Sequence, residues 1–149
     1  LSHQFFADGD LSTYVDNDAE ENEEDGFFVT GNGNDLVDNE SEENGACGFY
    51  VTGDDNYLEG NDADENAVDG FCVDGDDNWF FDNEAEENGQ HGFYVLAVAD
   101  GNSFGGNEAD DNVFDGFHDG EQVSAGGDNT WCDDNDAEDN GNANFLGIT

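Results

Sequence analysis

Residues 31–52 read GNGNDLVDNESEENGACGFYVT, a unit whose pattern recurs along the chain. In every copy, one asparagine is followed by another five residues later and by a phenylalanine ten residues later. The first asparagines are Asn17, Asn39, Asn61, Asn83, Asn107 and Asn135, so the spacing is 22 residues at first and then 24 and 28. A regular period of this length indicates structural units that stack on one another.

Each unit contains three short extended stretches, separated by glycine and asparagine. In Phe49, Tyr50 and Val51, the first and third residues lie on one side, which is the period-two pattern of a strand. Helical periodicity is absent, and glycine or asparagine interrupts the chain every few residues. The pattern predicts an all-β solenoid of about six coils, with ~22 residues and three short strands per coil, in a single domain spanning residues 1–149.

Two motifs in each unit resemble those of a known class of proteins. Asn61 to Asn66 reads NDADEN and Gly70 to Val73 reads GFCV, and both have counterparts in the other units. This arrangement resembles the right-handed parallel β-helix repeat proteins, a class of carbohydrate-binding proteins and sugar hydrolases. The resemblance covers essentially the whole chain and implies a right-handed parallel β-helix. It says little about function, because that fold carries many activities.

The columns of the repeat predict which side chains fill the interior. Large residues on two sides and small residues on the third can pack a narrow core without voids. The inward columns are Phe27, Phe49, Phe71, Phe93 and Phe117; Val29, Val51, Val73 and Val95; Tyr14, Leu36, Leu58, Phe80, Phe104 and Cys132; and Ala19, Ser41, Ala63, Ala85, Ala109 and Ala137. The asparagines are expected at corners, where they tolerate left-handed backbone conformations and bond to the next coil.

Three cysteines, Cys47, Cys72 and Cys132, fall in different columns of the repeat. One coil and three residues separate Cys47 from Cys72, which is roughly 11 Å at ordinary strand rise and spacing. This exceeds the ~7 Å limit on the Cα separation of a disulfide. We therefore expect no internal disulfide.

The charge of the chain restricts its partners. The 149 residues include 41 acidic residues and no lysine or arginine, for a net charge of −41. This excludes nucleic acid and anionic membrane surfaces, and no apolar run reaches the ~20 residues of a membrane span. Cations, basic proteins and neutral glycans remain as partners. Such a composition is also typical of disordered proteins. The periodic placement of the aromatic residues argues against disorder in this chain.

The small-residue side carries an unbroken acidic surface. Its outward and corner positions hold 18 carboxylates, among them Asp18, Glu20, Glu40, Glu42, Asp62, Asp64, Glu84 and Glu86. Like charges about 4.8 Å apart on successive coils repel by about 0.9 kcal/mol even in water, or by about 13 kcal/mol over the whole surface. This predicts either screening by molar salt or a diffuse ladder of bound cations such as Ca²⁺. Acidity without lysine resembles haloarchaeal surface proteins.

An aromatic stripe is expected on the outside. One outward column holds Phe28, Tyr50, Cys72, Tyr94 and His118, and the next side holds Tyr57, Trp79, Phe81 and Trp131. Exposed aromatic patches mark interaction sites, so the stripe predicts either packing against another chain or binding of sugar rings. Two insertions, at residues 96–100 and 121–126, are expected to decorate this face.

A corner column contains Asp25, Cys47, Asp69, His91 and Asp115. His91 with Asp69 and Asp115 is a candidate transition-metal site, and a solvated corner is the alternative.

We expect no enzyme, because the lyases of the resembled class imply arginine or lysine near the scissile bond. The galacturonases of that class imply a trio of aspartates with Gly-His-Gly, which Gln90, His91 and Gly92 approach only in part.

The function expected from these features is structural or adhesive. The chain is interpreted as an extracellular or cell-surface β-helix segment of a halophilic surface or filament protein, with its acidic face screened by cations. It is expected to be part of a longer chain, or a subunit that associates end to end or laterally, because open strand edges invite pairing. The alternative is a glycan-binding or glycan-processing module, with no organic cofactor in either case.

Overall fold

The computed structural model describes residues 5–120 and 129–146. Within these ranges the chain forms eighteen strands of two or three residues and no helix, and the strands pair in parallel within three sheets. The predicted parallel β-helix is confirmed. Five complete three-strand coils are present in the described residues, close to the predicted six. No described helix offers the length and apolar character of a membrane span.

The strands, numbered in chain order, divide among three sheets that we name by their side chains. The phenylalanine sheet contains β1 (Phe5–Ala7), β4 (Phe27–Val29), β7 (Phe49–Val51), β10 (Phe71–Val73), β13 (Phe93–Val95), β16 (Phe117–Asp119) and β18 (Phe145–Leu146). The mixed sheet contains β2 (Thr13–Val15), β5 (Asp35–Val37), β8 (Tyr57–Glu59), β11 (Trp79–Phe81), β14 (Ser103–Gly105) and β17 (Thr130–Trp131). The acidic sheet contains β3 (Asp18–Glu20), β6 (Glu40–Glu42), β9 (Asp62–Asp64), β12 (Glu84–Glu86) and β15 (Glu108–Asp110).

The core lies between the three sheets and follows the predicted columns. Equivalent phenylalanines pair in register and their rings stack, with centroids 4.9 Å apart for Phe49 and Phe71 and 4.6 Å apart for Phe71 and Phe93. The small residues of the acidic sheet are buried as expected. One position differs: Trp131, not Cys132, pairs with Phe104, and the two rings stack at 4.0 Å. Cys132 is exposed.

Asparagine ladders join successive coils at the corners, as predicted. The Asn39 amide donates from Nδ2 to Asn61 Oδ1 at 2.9 Å, and the Asn39 backbone N–H donates to the same oxygen at 3.0 Å. The prediction of left-handed asparagines is wrong, because the positive φ lies one residue earlier, for example 52° at Asp38. That residue makes the turn, while the asparagine after it is buried. A third ladder, not predicted, contains Asn34, Asn56, Asn78, Asn102 and Asn129.

Cys47 and Cys72 form a disulfide, with their Cα atoms 6.3 Å apart. The expectation of no disulfide is therefore wrong. The distance estimate assumed an extended chain, but residues 69–72 turn a corner at Gly70, where an added Cβ would approach Gly92 O to 2.8 Å. The turn brings residues three apart together, so that Asp69 Oδ2 lies 3.3 Å from Cys72 Sγ.

Candidate functional site

Two columns of the repeat lie close together at the corner that precedes the phenylalanine sheet. One is the corner column, and the other consists of the middle residues of the strands that follow it. The corner column, formed by Asp25, Cys47, Asp69, His91 and Asp115, lies just before β4, β7, β10, β13 and β16. Its side chains accept backbone N–H groups of the next coil, as when His91 N–H donates to Asp69 Oδ1 at 2.8 Å and Ala143 N–H donates to Asp115 Oδ1 at 3.1 Å. The corner thus fixes one oxygen of Asp69 and of Asp115, and it leaves the other oxygen facing the middle residue of the strand that follows.

The histidine cluster, which we define as His91, Asp115 and His118, is one result of this geometry. Asp115 Oδ2 lies 2.8 Å from His118 Nδ1 and 3.1 Å from His91 Nδ1. The Asp115 side chain is buried, with 4% exposed, whereas the two imidazoles are partly accessible. The three ligand atoms all lie within 4.8 Å of one another. The cluster therefore combines two imidazoles and a carboxylate at one corner.

The surroundings of His91 favour the neutral imidazole, which is the form that binds metal ions. Burial lowers the pKa of His91 and the neighbouring His118 adds to this effect, while Asp115 opposes it. Its Nδ1 also accepts the Asp115 backbone N–H at 3.2 Å. Asp115 Oδ2 lies 3.1 Å from the same nitrogen. A proton on Nδ1, or a cation beside it, would bridge the nitrogen and the carboxylate oxygen.

The sequence prediction of this cluster was right in part. His91 and Asp115 come together as expected, but Asp69 instead faces Cys72. His118 was assigned to the aromatic stripe and was missed as a member of this cluster. The signal that would have found it is its spacing of three residues from Asp115 across the corner, the same spacing as that of Asp69 and Cys72.

The second group at this corner, the cysteine cluster, consists of Cys47, Asp69 and Cys72. All three residues are buried, and their ligand atoms lie within 4.8 Å of one another. Burial raises the pKa of Asp69 to about 6, against the lowering effect of the His91 N–H donor. Cys72 was predicted to be outward and exposed, but it is 6% exposed and disulfide-bonded. The aromatic stripe is therefore interrupted at this position.

The acidic sheet places its carboxylates as predicted. Within each strand the middle residue is buried and the flanking acids face outward, as in Glu84, Ala85 and Glu86. Burial, followed by repulsion from Glu84 and other neighbouring carboxylates, raises the pKa of Asp62 to about 6. Glu42, Asp64 and Glu65 bring their oxygens within 4.8 Å of one another. The sheet is thus a surface of closely spaced negative charge.

The predicted interaction residues divide between two sheets. Phe28, Tyr50 and Tyr94 are partly buried on the phenylalanine sheet, whereas Tyr57, Trp79 and Phe81 lie on the mixed sheet. Trp131 was predicted to be outward but packs against the core. The first insertion forms a turn that buries Ala99, and the second, residues 121–126, lies outside the described residues.

An open groove of about 430 Å³ lies on the mixed sheet. It is lined by Asp55, Asn56, Tyr57, Asp77 and Trp79. Trp79 is 54% exposed at its edge. The groove therefore joins two aromatic side chains to two carboxylates, and Tyr94 is not part of it.

Comparison with known proteins supports the fold and adds a family. Neither a curated protein nor a solved structure matches the chain significantly. Residues 4–145 match the family model described as periplasmic copper-binding protein (NosD). A periplasmic family is compatible with the location outside the cytoplasm that the sequence predicts. Since the match covers nearly all of the 149 residues, the chain belongs to the NosD family.

Proposed function

We propose that the chain is a metal-binding β-helix module that functions outside the cytoplasm and that its histidine cluster binds a transition-metal ion. The observation that carries the proposal is the convergence of two imidazole nitrogens on one buried carboxylate oxygen, at 2.8 and 3.1 Å. Ligand atoms on a single ion at about 2.0–2.1 Å lie about 2.9–3.4 Å apart. The 3.1 Å separation lies within that range and the 2.8 Å separation lies just below it.

The donor set fits copper, which the family description names. Imidazole suits copper, and Cu²⁺ binds such nitrogen and oxygen sites more tightly than the other divalent first-row metals. Asp115 would fix the orientation of both rings, since its Oδ1 is held by the Ala143 N–H and only Oδ2 faces the histidines. Aromatic neighbours, Tyr94 and Phe114, lie against His91 at 5.3 and 5.6 Å and restrict the approach of water. The chain's own residues thus supply the metal ligands and aromatic side chains that partly exclude water from one side of the site.

Replacing both histidines should abolish the tight copper site. We expect the His91→Ala, His118→Ala double variant to bind Cu²⁺ at least ~10-fold more weakly, because changes around a metal site typically cost 10–100-fold in affinity. The measurement is a calorimetric titration in molar NaCl with excess Mg²⁺, which occupies the acidic sheet. Electron paramagnetic resonance of the wild type should show nitrogen coupling to the bound ion.

All samples carry His3→Ala, because a histidine at position 3 of a free amino terminus binds Cu²⁺ itself. The matched control in this background is Leu11→Ala, a change at an exposed residue outside the cluster, which should leave the affinity unchanged. Equal affinity of wild type and double variant, or a copper spectrum without nitrogen coupling, would refute the proposal.

A second candidate function is adhesion through neutral glycans, as part of a halophilic surface or filament protein. The groove on the mixed sheet favours it, because Tyr57 and Trp79 offer aromatic faces and Asp55 and Asp77 offer acceptors for sugar hydroxyls. Aromatic side chains combine a large apolar surface with a defined geometry, and ionised carboxylates accept hydrogen bonds only. A neutral sugar satisfies both without the repulsion that an acidic polysaccharide would meet.

Glycan binding should appear as a change in tryptophan fluorescence, to which Trp79 in the groove contributes, on titration with neutral gluco-oligosaccharides. We expect Tyr57→Ala to remove the response, because one wall of the groove is lost. Val113→Ala, a change at an exposed apolar residue that does not line the groove, should retain it. If the oligosaccharides have no effect and Tyr57→Ala instead abolishes self-association in sedimentation, the groove is a contact between copies of the chain.

A further inference from the structure

The cysteine cluster lies one coil away from the histidine cluster, along the same corner column. Cys47, Asp69 and Cys72 are 6%, 3% and 6% exposed. Such burial removes them from bulk solvent while keeping two sulfurs and a carboxylate together. The proposed copper site at His91, Asp115 and His118 uses none of these atoms.

The carboxylate of Asp69 is oriented for a partner that the disulfide does not supply. Its Oδ1 accepts the His91 N–H at 2.8 Å, which leaves Oδ2 facing Cys72 Sγ at 3.3 Å. A disulfide sulfur carries no hydrogen, so this contact joins two acceptors. A buried polar atom without a donor is costly. A thiol hydrogen or a cation at this place would satisfy Asp69 Oδ2.

We propose that reduction of the Cys47–Cys72 disulfide creates a second metal site, in which both thiolates and Asp69 bind a thiophilic d¹⁰ cation, Cu⁺ or Zn²⁺. Thiolate ligands select these ions. Two thiolates on one tetrahedral ion lie about 3.8 Å apart, a span that Cα atoms 6.3 Å apart can accommodate. The oxidised corner is then closed to the metal and the reduced corner is open.

The chemical step balances as a thiol–disulfide exchange. A dithiol reductant gives two electrons and two protons to the Cys47–Cys72 bond and is itself converted to a disulfide. The S–S bond breaks, and two thiols form. Binding of the cation displaces both thiol protons to solvent. No other oxidant or reductant is needed.

The test uses the full chain with Cys132→Ser, which removes the exposed free thiol. One sample is oxidised, and another is reduced with a phosphine that is then removed under nitrogen. Each is titrated in molar NaCl with Cu⁺ and with Zn²⁺ against a chromogenic competitor. We expect the reduced sample to bind one more equivalent than the oxidised sample and to show thiolate-to-metal charge-transfer absorption.

Three variants separate this site from the histidine cluster. Cys47→Ser with Cys72→Ser should lose the extra equivalent, and Asp69→Asn should weaken it by about 10-fold or more. His91→Ala with His118→Ala should retain it, even though that variant loses the Cu²⁺ site. If reduction unfolds the chain, recovery of the β-sheet circular dichroism on adding either metal supports the site. Failure of the metal to restore the fold, or equal stoichiometry of the reduced and oxidised samples, overturns it.

Discussion

Transfer from molar NaCl to about 10 mM salt is expected to unfold the protein. The Debye length rises from about 3 Å to about 30 Å over this change, so carboxylates on neighbouring strands of the acidic sheet are no longer screened. Glu84 pairs directly with Asp62 on one side and with Glu108 on the other. No lysine or arginine exists to offset these charges. Circular dichroism across a NaCl series measures the loss.

Two controls identify the source of the effect. The double variant Asp62→Asn, Glu84→Gln should remain folded to lower salt, because it removes two charges from the middle of the acidic sheet. Glu23→Gln with Asp133→Asn removes the same charge from exposed positions outside that sheet and should shift the midpoint less. A wild type that stays folded at about 10 mM salt with a chelator present would show that the repulsion is overestimated. Unfolding by the chelator alone at high salt would instead indicate bound divalent cations.

Acidification should stabilise the fold when salt is reduced. The pKa of Asp62 is raised to about 6 in the folded state from its usual 3.8. The folded state therefore holds this proton more tightly than the unfolded state. The resulting stability is present at low pH and is lost as the pH rises through about 6. At a NaCl concentration that just maintains the fold at pH 7, we expect the melting temperature to increase between pH 7 and pH 5, opposite to ordinary acid denaturation.

The second large effect is expected from a single buried amide, Asn61. Its Nδ2 donates to Leu36 O and to Asn83 Oδ1, both at 2.9 Å, and its Oδ1 accepts from Asn39. Asn61→Ala removes all of these bonds and leaves the Asn39 backbone N–H without its acceptor, whereas Asn83 Oδ1 keeps the Asn61 backbone N–H. A lost hydrogen bond costs about 0.5–1.5 kcal/mol and an orphaned buried group roughly 1–3 kcal/mol. We expect a loss of about 3–5 kcal/mol, or a fall of about 10–15 °C in melting temperature. Calorimetry in molar NaCl measures it.

Asn142→Ala is the control for the ladder, because Asn142 is exposed. It should change the melting temperature by less than about 2 °C, which corresponds to about 0.5 kcal/mol. If Asn61→Ala were as mild as this control, the amide ladders would not be a main source of stability. The core phenylalanine stacks would then have to supply it.

The sequence was sufficient to predict the fold because each column repeats one chemical type. Phenylalanine on phenylalanine and asparagine on asparagine fix which position of one coil lies above which position of the next. Trp131 and Cys132 were misassigned because the column was counted back from Asn135 with the spacing of the earlier coils. One extra residue lies between Asn129 and Asn135, which are six residues apart where their partners Asn102 and Asn107 are five apart, so the numerical register shifts while the hydrogen-bond pairing continues.

The candidate site was less predictable than the fold. Columns tell which residues lie above one another, but they do not give the angle at a corner. The turn at Gly70 and its equivalents brings position i against position i+3, and this joins Asp115 to His118 and Asp69 to Cys72. Treating each coil as three flat sides hid both clusters and the disulfide.

Because the ladders repeat the same residue type in every coil, different stacking orders of the coils would make nearly the same contacts. If one segment slipped by a whole coil, Asn61 would meet an asparagine and Phe71 a phenylalanine as before, so most contacts would be equivalent to those of the native state. The same equivalence would let coils of two molecules interleave while the protein folds. The disulfide removes this freedom for its own neighbours, because only Cys47 and Cys72, 25 residues apart, satisfy it. The disulfide therefore fixes the register of these two coils in an otherwise repetitive stack.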